Sequence, residues 1–384
     1  MKHPRAIVAA GLGLLLALTG CAPGSSTGNN GSNDSVLGCV DSVPEGGQLS
    51  AGQALRNSLQ GVTLTFVGGG GTYQEAHSNF FVKPFALCTG AQMLEESVAS
   101  DAKIQAQVDA KQVSWDIVAG GRNLANKCGE YLEELDTSIV DLSRTRHTEL
   151  VGPCLAPMDI APVYMAYDPA KFPNNPPSSI QDFFDVKKYP GKRSLYGSVA
   201  VPIVNFPVAV ANMLGYTQDK MYSPDFPVDE VFAKIDSIKD HIVWVGTFAE
   251  EQQIIESGEV SMGFFAAGRV WAAAQNNAKF TPVWGEGNWV FAVDNLIVPK
   301  GAKNPEAAMA FINYALGAKQ QELVTAATVY SPSHMDAVPT VPEAMEPYYA
   351  GPDEVENGVP TTHPYWLKHP EVNAGMWNDY LLGK

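Results

Sequence analysis

The stretch TFVGGGGTYQEA (65–76) joins an apolar run to the start of a helix through four glycines. The run at 62–67 predicts a buried strand, and Thr72 followed by Glu75 predicts a capping box that opens the helix. Glycines let the backbone turn sharply, and a helix N-terminus after such a turn holds polar ligands on its N–H groups. The GxxxxGK[ST] pattern is absent, and Tyr73 stands where GxGxxG needs its third glycine, so we expect no nucleotide site.

Outward from this stretch, apolar runs alternate with helical patterns, which predicts an α/β fold with largely parallel sheets. The clearest helix has Asn304 as N-cap and Pro305 at its first position. The predicted strands are 62–67, 115–119, 161–166, 193–198, 241–245, 260–265 and 290–298. The predicted helices are 73–87, 101–111, 207–215, 228–238, 249–257, 268–276, 305–316 and 318–326. We expect the Pro-rich, aromatic tail from residue 339 to wrap over the body rather than form a domain.

The N-terminus has the pattern of a secretory signal peptide. Two basic residues precede an apolar run, 6–18, that is too short to span a bilayer. The sequence LTGC (18–21) resembles a bacterial lipobox, which implies cleavage before Cys21 and its acylation. The alternative is an ordinary signal peptide with an incidental cysteine. The stretch 22–35 is rich in Gly, Ser, Asn and Thr and cannot bury enough apolar surface to fold, so we expect a flexible tether.

The composition limits the class of protein. The chain has 25 basic and 41 acidic side chains, a net charge of −16, which argues against nucleic acid as a partner. Roughly 340 residues lie beyond the tether, enough for two domains. No later stretch is long and apolar enough to span a membrane. We therefore expect a globular extracytoplasmic protein, lipid-anchored to the cell membrane or periplasmic.

Four cysteines follow the lipobox: Cys39, Cys88, Cys128 and Cys154. An even number outside the cell indicates two disulfides, for which three pairings exist. We favour Cys128–Cys154, which closes a short local loop, and Cys39–Cys88, which ties the early tail to the first domain. The chain has no CxxC motif and no His/Cys cluster, so we expect no zinc site.

Several stretches in order resemble the substrate-binding proteins of bacterial ABC importers, most closely the spermidine/putrescine-type branch. The resemblance covers most of 60–335 and rests on order and spacing, since no single motif is diagnostic. The stretches are VGGGGTYQEA (67–76), WDIVAGG (115–121), EEQQIIESGEVSMGFFAAGRVWAAAQ (250–275), FAVDNLIVPKGAKNPEAAMAFINYAL (291–316) and VYSPSH (329–334).

The resemblance implies a two-lobed, periplasmic-binding-protein-like fold of type II, with hinge crossings and a ligand cleft between the lobes. It implies that the ligand is trapped as the lobes close. The implied organisation is a lipoprotein signal peptide at 1–20, a tether at 21–44, a first lobe at 45–158 plus 292–340, a second lobe at 159–291 and a wrapping tail at 341–384.

In this branch, aromatic walls sandwich the ligand and carboxylates neutralise each ammonium, by cation–π contacts and charge-assisted hydrogen bonds. Tyr73, Asp294 and Tyr330 match the branch at an aromatic of the first helix, an amine-pairing carboxylate and a late tyrosine. The alternative for the tyrosines is packing between the lobes. For Asp294 it is a structural hydrogen bond, because a polar residue in an apolar strand needs a partner.

Other positions depart from the branch. The expected tryptophan is replaced by alanine at 266–267, and Asn205 is the only polar candidate where two acidic residues are expected. Gly121 and Arg122 stand in a loop that carries hydroxyl residues in the branch, and Arg269 begins the next helix. Three tryptophans are candidates to replace the missing one: Trp244, Trp284 and Trp289. The alternative for each is packing in the core.

These departures change the expected ligand. The planar fork of arginine suits a carboxylate or phosphonate, so a ligand with one amine and one acid would satisfy Asp294 and an arginine together. A simple polyamine is the other interpretation, if Arg122 and Arg269 point to solvent or bridge the lobes. Cousin branches bind other ligands, which gives two further alternatives. A ferric ion would need adjacent tyrosines, which occur only in PYY (347–349). The other alternative is an aminophosphonate or thiamine-type ligand.

The sequence does not favour an enzyme. GxSxG and HExxH are absent, and no nucleophile stands beside a base, so a lipid-anchored enzyme is the less favoured alternative. We expect a solute-binding component of an ABC importer, without a cofactor, that acts as a monomer. Its expected partners are a small solute and a membrane permease.

Overall fold

The computed structural model describes residues 38–198, 203–285 and 287–383. The predicted signal peptide, Cys21 and the predicted tether before Gly38 lie outside the described residues. The strands are β1 Cys39–Val40, β2 Ala54–Leu55, β3 Thr63–Gly68, β4 Gln92–Ser97, β5 Ile117–Ala119, β6 Ala156–Tyr167, β7 Arg193–Tyr196, β8 Ile242–Val245, β9 Met262–Ala266, β10 Thr281–Pro282, β11 Trp289–Ile297, β12 Ser331–Pro332 and β13 Val359–Pro360.

The helices connect these strands and cover the sheet. The α-helices are α1 Gly71–His77, α2 Lys83–Thr89, α3 Asp101–Asp109, α4 Thr148–Val151, α5 Ile180–Phe184, α6 Asn205–Met213, α7 Gln218–Met221, α8 Val228–Asp236, α9 Phe248–Ser257, α10 Ala267–Gln275, α11 Pro305–Ala315, α12 Ala318–Thr328, α13 Pro352–Asn357, α14 Pro364–Lys368 and α15 Pro370–Leu381. Short 3₁₀ segments lie at Arg122–Lys127, Lys239–His241 and Glu346–Tyr348. Among the described residues, no helix combines the length and the apolar character needed to cross a bilayer.

Two long strands, β6 and β11, connect the two lobes. The main sheet has the order β4-β3-β5-β11-β6-β9-β7-β8. The first half of β6 pairs with β12 and its second half with β9, while β11 pairs with β13 at one end and β5 at the other. Each strand therefore passes from one lobe into the other. The outer strands are parallel, as predicted, but β6 and β11 are antiparallel to their main-sheet neighbours, which corrects the prediction of a largely parallel sheet.

The tail packs on both the hinge strands and the second lobe. β13 adds to β11, where the Thr361 N–H donates to the Phe291 carbonyl at 2.7 Å. Trp366 and Trp377 are buried in the same apolar cluster as the helices of the second lobe. The tail thus contributes large apolar side chains to a core built mainly from residues far earlier in the chain, for example Phe232, which packs against Trp377.

Both favoured disulfides are confirmed. Cys39 bonds to Cys88 and Cys128 bonds to Cys154, with Cα atoms 5.6 and 5.7 Å apart. The first bond and the pairing of β1 with β2 hold residues 39–40 against the first lobe, although these residues fall within the predicted tether. The exact limits of tether, lobes and tail stay predictions.

The first helix differs from its predicted form. The capping box is wrong: the helix begins at Gly71, and the side chains of Thr72 and Glu75 do not cap it. Gly70, with φ of 79°, takes the N-cap position, and its N–H donates to Gln74 Oε1 at 3.0 Å. A π-helical turn at Ser78–Val82 then separates α1 from α2, where one continuous helix was expected.

The other predicted strands and helices are present with shifted ends. The main additions are the edge strand β4, the helix α5 and the tail helices. β4 escaped the sequence analysis because its side chains are largely exposed and polar, so the strand lacks the apolar run that marked its neighbours.

Trp377→Ala tests how much the tail stabilises the second lobe. The indole is 1% exposed, packs edge-on against Phe232, and donates from Nε1 to the Ile203 carbonyl at 2.8 Å. We expect the substitution to lower the free energy of unfolding by about 3–5 kcal/mol, measured by urea denaturation. Val372→Ala, at a 37% exposed position on the same helix, is the control and should change it by less than about 1 kcal/mol. Equal effects at both positions would contradict this role of the tail.

Candidate ligand-binding site

A cavity of about 250 Å³ lies between the lobes, and the paired strands β6 and β11 supply part of its lining. Six of the seven predicted site residues line it: Tyr73, Arg122, Asn205, Arg269, Asp294 and Tyr330. Gly121 is not among the lining residues, although Gly120 is. Gly121 instead adopts a left-handed φ of 76° before the 3₁₀ segment, and a Cβ there would lie 2.8 Å from the Ile297 side chain.

Small side chains create the space in the cavity. Ala161 and Ala292 occupy paired positions on β6 and β11 and pack with Tyr330. The Tyr73 and Tyr330 rings meet edge to face, with centroids 5.0 Å apart. Gly268 lets Tyr330 lie across the start of α10, since a Cβ there would be 2.6 Å from the Tyr330 hydroxyl. The two tyrosines therefore form one aromatic wall above an alanine floor.

Asp294 lines the cavity, and a second carboxyl group, Asp159, is buried beside it beneath the lining. The two residues are directly paired in the β6–β11 register. The Tyr73 hydroxyl donates to Asp159 Oδ2 at 2.7 Å and lies 3.3 Å from Asp294 Oδ2. Burial raises the pKa of Asp159 to about 7, and burial together with the neighbouring Asp159 raises the pKa of Asp294 to about 7.

The two arginines reach the cavity from different lobes. Arg122 follows the turn at Gly121, and its Nη1 donates to Thr362 Oγ1 at 3.4 Å. Its positive charge opposes the rise in the pKa of Asp294. Arg269, at the start of α10, places its guanidinium carbon 5.6 Å from the Phe248 ring centroid. Both arginine side chains line the cavity.

A third carboxyl group lies behind the second-lobe wall. Glu251 is 2% exposed, and its Oε1 accepts a hydrogen bond from the Ala266 N–H at 2.6 Å. It lines a small pocket that shares Asn205, Phe248 and Ala266 with the main cavity. Burial raises the pKa of Glu251 to about 8, against the opposing effect of Arg269.

The candidate tryptophans do not line the cavity; Trp244 is partly buried against the core, and Trp284 packs against Trp289. The aromatic side chain on the second-lobe wall is instead Phe248, which stacks on Tyr196 at 5.2 Å. The adjacent tyrosines at 348–349 are also outside the cavity lining. Across residues 38–198, 203–285 and 287–383, no three His, Cys, Asp or Glu side chains form a group that could hold a metal ion.

Residues 92–350 match the family described as bacterial extracellular solute-binding protein. The chain belongs to this family. The γ-aminobutyric acid-binding protein of Pseudomonas aeruginosa is 27% identical over 328 residues, which cover 83% of this chain and 91% of that protein. Spermidine/putrescine-binding periplasmic protein 1 of Haemophilus influenzae is 38% identical over 89 residues, 23% of this chain and 25% of that protein. The solved structure of the Atu4243 GABA receptor is 30% identical, with a TM-score of 0.72, covering 83% of this chain and 97% of that chain.

Membership of the solute-binding proteins confirms the broad predictions. The fold is the two-lobed type II fold of periplasmic binding proteins, and the family consists of extracytoplasmic components of ABC importers. Such proteins bind a small molecule and interact with a membrane permease, and the curated relatives are binding proteins rather than enzymes. The spermidine/putrescine branch is supported only in part, because that match spans a quarter of the chain.

Two buried carboxyl groups of this solute-binding protein, Asp159 and Glu251, were not predicted from the sequence. Asp159 interrupts an apolar strand just as Asp294 does, but the predicted strand began at residue 161, so the signal was left outside it. Glu251 stands four residues before the buried Ile255 on α9, a spacing that places both on one helix face. Because Glu251 stands beside Glu250 in the first turn of the helix, where acidic side chains are usually solvent-exposed, nothing nearby indicated that it is buried.

Glu251→Gln tests the buried carboxyl of the solute-binding protein through pH. The pKa of Glu251 is about 8 in the folded state against 4.5 as the ordinary value, so its contribution to stability is present below about pH 4.5 and lost as pH rises through about 8. Glutamine keeps the Oε1 acceptor but cannot ionise, so it removes the pH dependence that comes from this side chain. Relative to wild type, the variant should therefore gain about 2–4 kcal/mol of unfolding free energy between about pH 5 and pH 8.5, measured by urea denaturation.

The matched control is Glu259→Gln, at an exposed position just beyond the same helix. It should follow the wild-type pH dependence. A Glu251→Gln variant that ran parallel to wild type at both pH values would show that the carboxyl titrates normally in the folded protein.

Proposed function

We propose that the protein captures a small solute carrying one amine and one carboxylate, of the γ-aminobutyrate type, and presents it to an ABC permease. The observation that carries the proposal is the joint presence of the Asp294 carboxylate and the guanidiniums of Arg122 and Arg269 in one cavity of about 250 Å³. Charge-assisted hydrogen bonds from these groups match the two ends of such a zwitterion.

The aromatic wall supports the same ligand class. A cationic amine against Tyr73 and Tyr330 gains cation–π attraction, while the alanine floor accommodates a short methylene chain. The names of two relatives, the γ-aminobutyric acid-binding protein and the GABA receptor, agree with an amine-plus-acid solute. A diamine would bring a second ammonium towards an arginine, which costs electrostatic energy.

In the proposed mechanism, the open protein binds solute on the first lobe through Tyr73, Asp294 and Tyr330. Closure then brings Asn205 and Arg269 of the second lobe onto it, and the closed surface is what the permease recognises. We take the lobes as 45–158 plus 292–340 and 159–291. We further propose acylation at Cys21, a tether to the membrane and a monomeric state, on the sequence pattern alone.

Four solutes separate the amine-plus-acid proposal from its alternatives by calorimetric titration of the purified protein. They are γ-aminobutyrate, putrescine with two amines, n-butylamine without the acid and butyrate without the amine. We expect measurable binding of γ-aminobutyrate, with each single-group analogue weaker by at least about 30-fold, because one buried charge is then left unpaired. An aminophosphonate added to the panel tests the cousin-branch ligand. Putrescine binding more tightly than γ-aminobutyrate would contradict the proposal.

Charge-removing variants assign the two ends of the solute. Asp294→Asn should weaken γ-aminobutyrate binding by about 2–4 kcal/mol, because the amine loses its partner. Arg122→Gln or Arg269→Gln should also weaken binding by about 2–4 kcal/mol, because the carboxylate of the solute loses a partner. Asp229→Asn, an exposed position on α8, is the control and should bind as wild type does. If both arginine variants bound γ-aminobutyrate normally, the carboxylate would have to be recognised by other groups.

A further inference from the structure

Tyr73 contacts two carboxyl groups, Asp294 in the cavity lining and Asp159 beneath it, and its single hydroxyl proton cannot serve both contacts. The oxygen of the Tyr73 hydroxyl lies 2.7 Å from Asp159 Oδ2 and 3.3 Å from Asp294 Oδ2. A phenol has a single proton to donate, and an ionised carboxylate has none. Both contacts are satisfied as hydrogen bonds only when one of the two carboxyl groups carries a proton. The β6–β11 pairing holds the two residues opposite each other, so they cannot easily separate.

The surroundings offer little compensation for two negative charges. Asp159 is 3% exposed, and within the described part of the chain its Oδ1 has no hydrogen-bond partner. A basic residue, His77, lies beside the pair, with its Nε2 3.9 Å from Asp159 Oδ2. His77 is fully buried and stacked on Phe81, and burial lowers its pKa to about 4, so it is neutral near pH 7.

The other groups that face the pair come from three elements. Tyr73 and His77 belong to α1, Arg122 follows β5, and Tyr330 precedes β12. The two tyrosines are uncharged because burial raises the pKa of each. Arg122 therefore supplies the one positive charge among these groups, and it faces Asp294 rather than Asp159.

We propose that Asp159 and Asp294 hold one shared proton in the ligand-free protein, and that a cationic group entering beside Asp294 displaces it to solvent. Cation binding is then coupled to proton release, and Asp159 is a positioning residue that sets the charge of the site through Tyr73 and Asp294. The proposal rests on the proposed function for the identity of the cation, a single amine.

The shared proton has a consequence for specificity. A pair that carries one proton presents one negative charge, whereas two ionised carboxylates would present two. Once a cationic group has displaced the proton, the two negative charges of the pair balance the positive charges of Arg122 and Arg269, so the site suits a solute that itself carries one ammonium and one carboxylate. The ionisation of Asp159 on binding thus favours a zwitterion over a diamine, although Asp159 itself is buried behind the lining.

The pH dependence has a defined sign. Below about pH 7 the proton occupies the pair and must be displaced, so the Kd for an amine should rise by up to tenfold per pH unit as pH falls. Above that range the pair is already ionised, and the Kd should become independent of pH. The amine and carboxylate of γ-aminobutyrate do not themselves titrate in between.

The first arm of the test uses the ligand-free protein. Carbon-13 NMR of aspartate carboxyl groups follows their titration from about pH 4 to pH 9. We expect resonances that titrate near pH 7 in wild type and are lost or shifted to lower pH in both Asp159→Asn and Asp294→Asn, while Asp229→Asn leaves them unchanged. If every aspartate titrated below about pH 5, the shared proton would be excluded whatever the ligand is.

The second arm measures proton release by calorimetric titration of γ-aminobutyrate in two buffers of different ionisation enthalpy. We expect release of close to one proton per ligand near pH 6, little near pH 8.5, and less than half a proton near pH 6 in Asp159→Asn. Unchanged release in Asp159→Asn, or none in wild type, would overturn the coupling. If γ-aminobutyrate does not bind at all, the proposed function fails, and the NMR arm still decides the shared proton.

Discussion

The antiparallel pairing of β6 and β11 is the constraint on which the rest of the structure depends. Each strand has one end in each lobe, and the ladder between them runs from Trp289–Tyr164 to Leu296–Ala156. The lobes are therefore joined by paired strands, whose register shifts once, between Asp294 and Asn295. Such a joint allows rotation only through small changes spread along two strands, which suits closure of one lobe over the other.

The same pairing decides what the cavity floor is made of. Side chains alternate along a strand, so Asp159 and Ala161 share one face of β6, as Ala292 and Asp294 do on β11. The alanines leave volume open, and the carboxyl groups supply charge at one end of it. Burying two acidic side chains side by side destabilises a protein, and the large apolar clusters of both lobes offset that cost.

The sequence predicted the framework better than the orientation of side chains. Alternation of apolar runs with helical patterns was enough for the α/β class. An even cysteine count indicated two disulfides, and the short loop closed by Cys128 and Cys154 favoured the pairing that the structure has. Asp294 was predicted because its place in FAVDNLIVP matches the amine-pairing carboxylate of the family that the sequence resembles. Asp159 was missed because its strand was started too late, and strand ends are the weakest part of such predictions.

The direction of an arginine was beyond the sequence analysis for a physical reason. Arg122 contacts Thr362, which is 240 residues away in the chain, and Thr362 Oγ1 itself accepts the Val293 N–H at 2.9 Å. No local pattern near residue 122 encodes a partner in the tail. The capping box failed in the opposite way, since Thr72 and Glu75 fitted a local rule that the glycine turn overrode.

These features separate the origin of the fold from the origin of specificity. The fold depends on backbone pairing and apolar burial, which tolerate changes in the charge of the lining. The proposed specificity depends on how many negative charges Asp159, Asp294 and Glu251 carry against two guanidiniums. Asp159 and Glu251 are buried, and their environment rather than their residue type sets their ionisation. A chain can therefore keep the carboxylate that resembles a polyamine site and still present the charge balance of a site for a zwitterion.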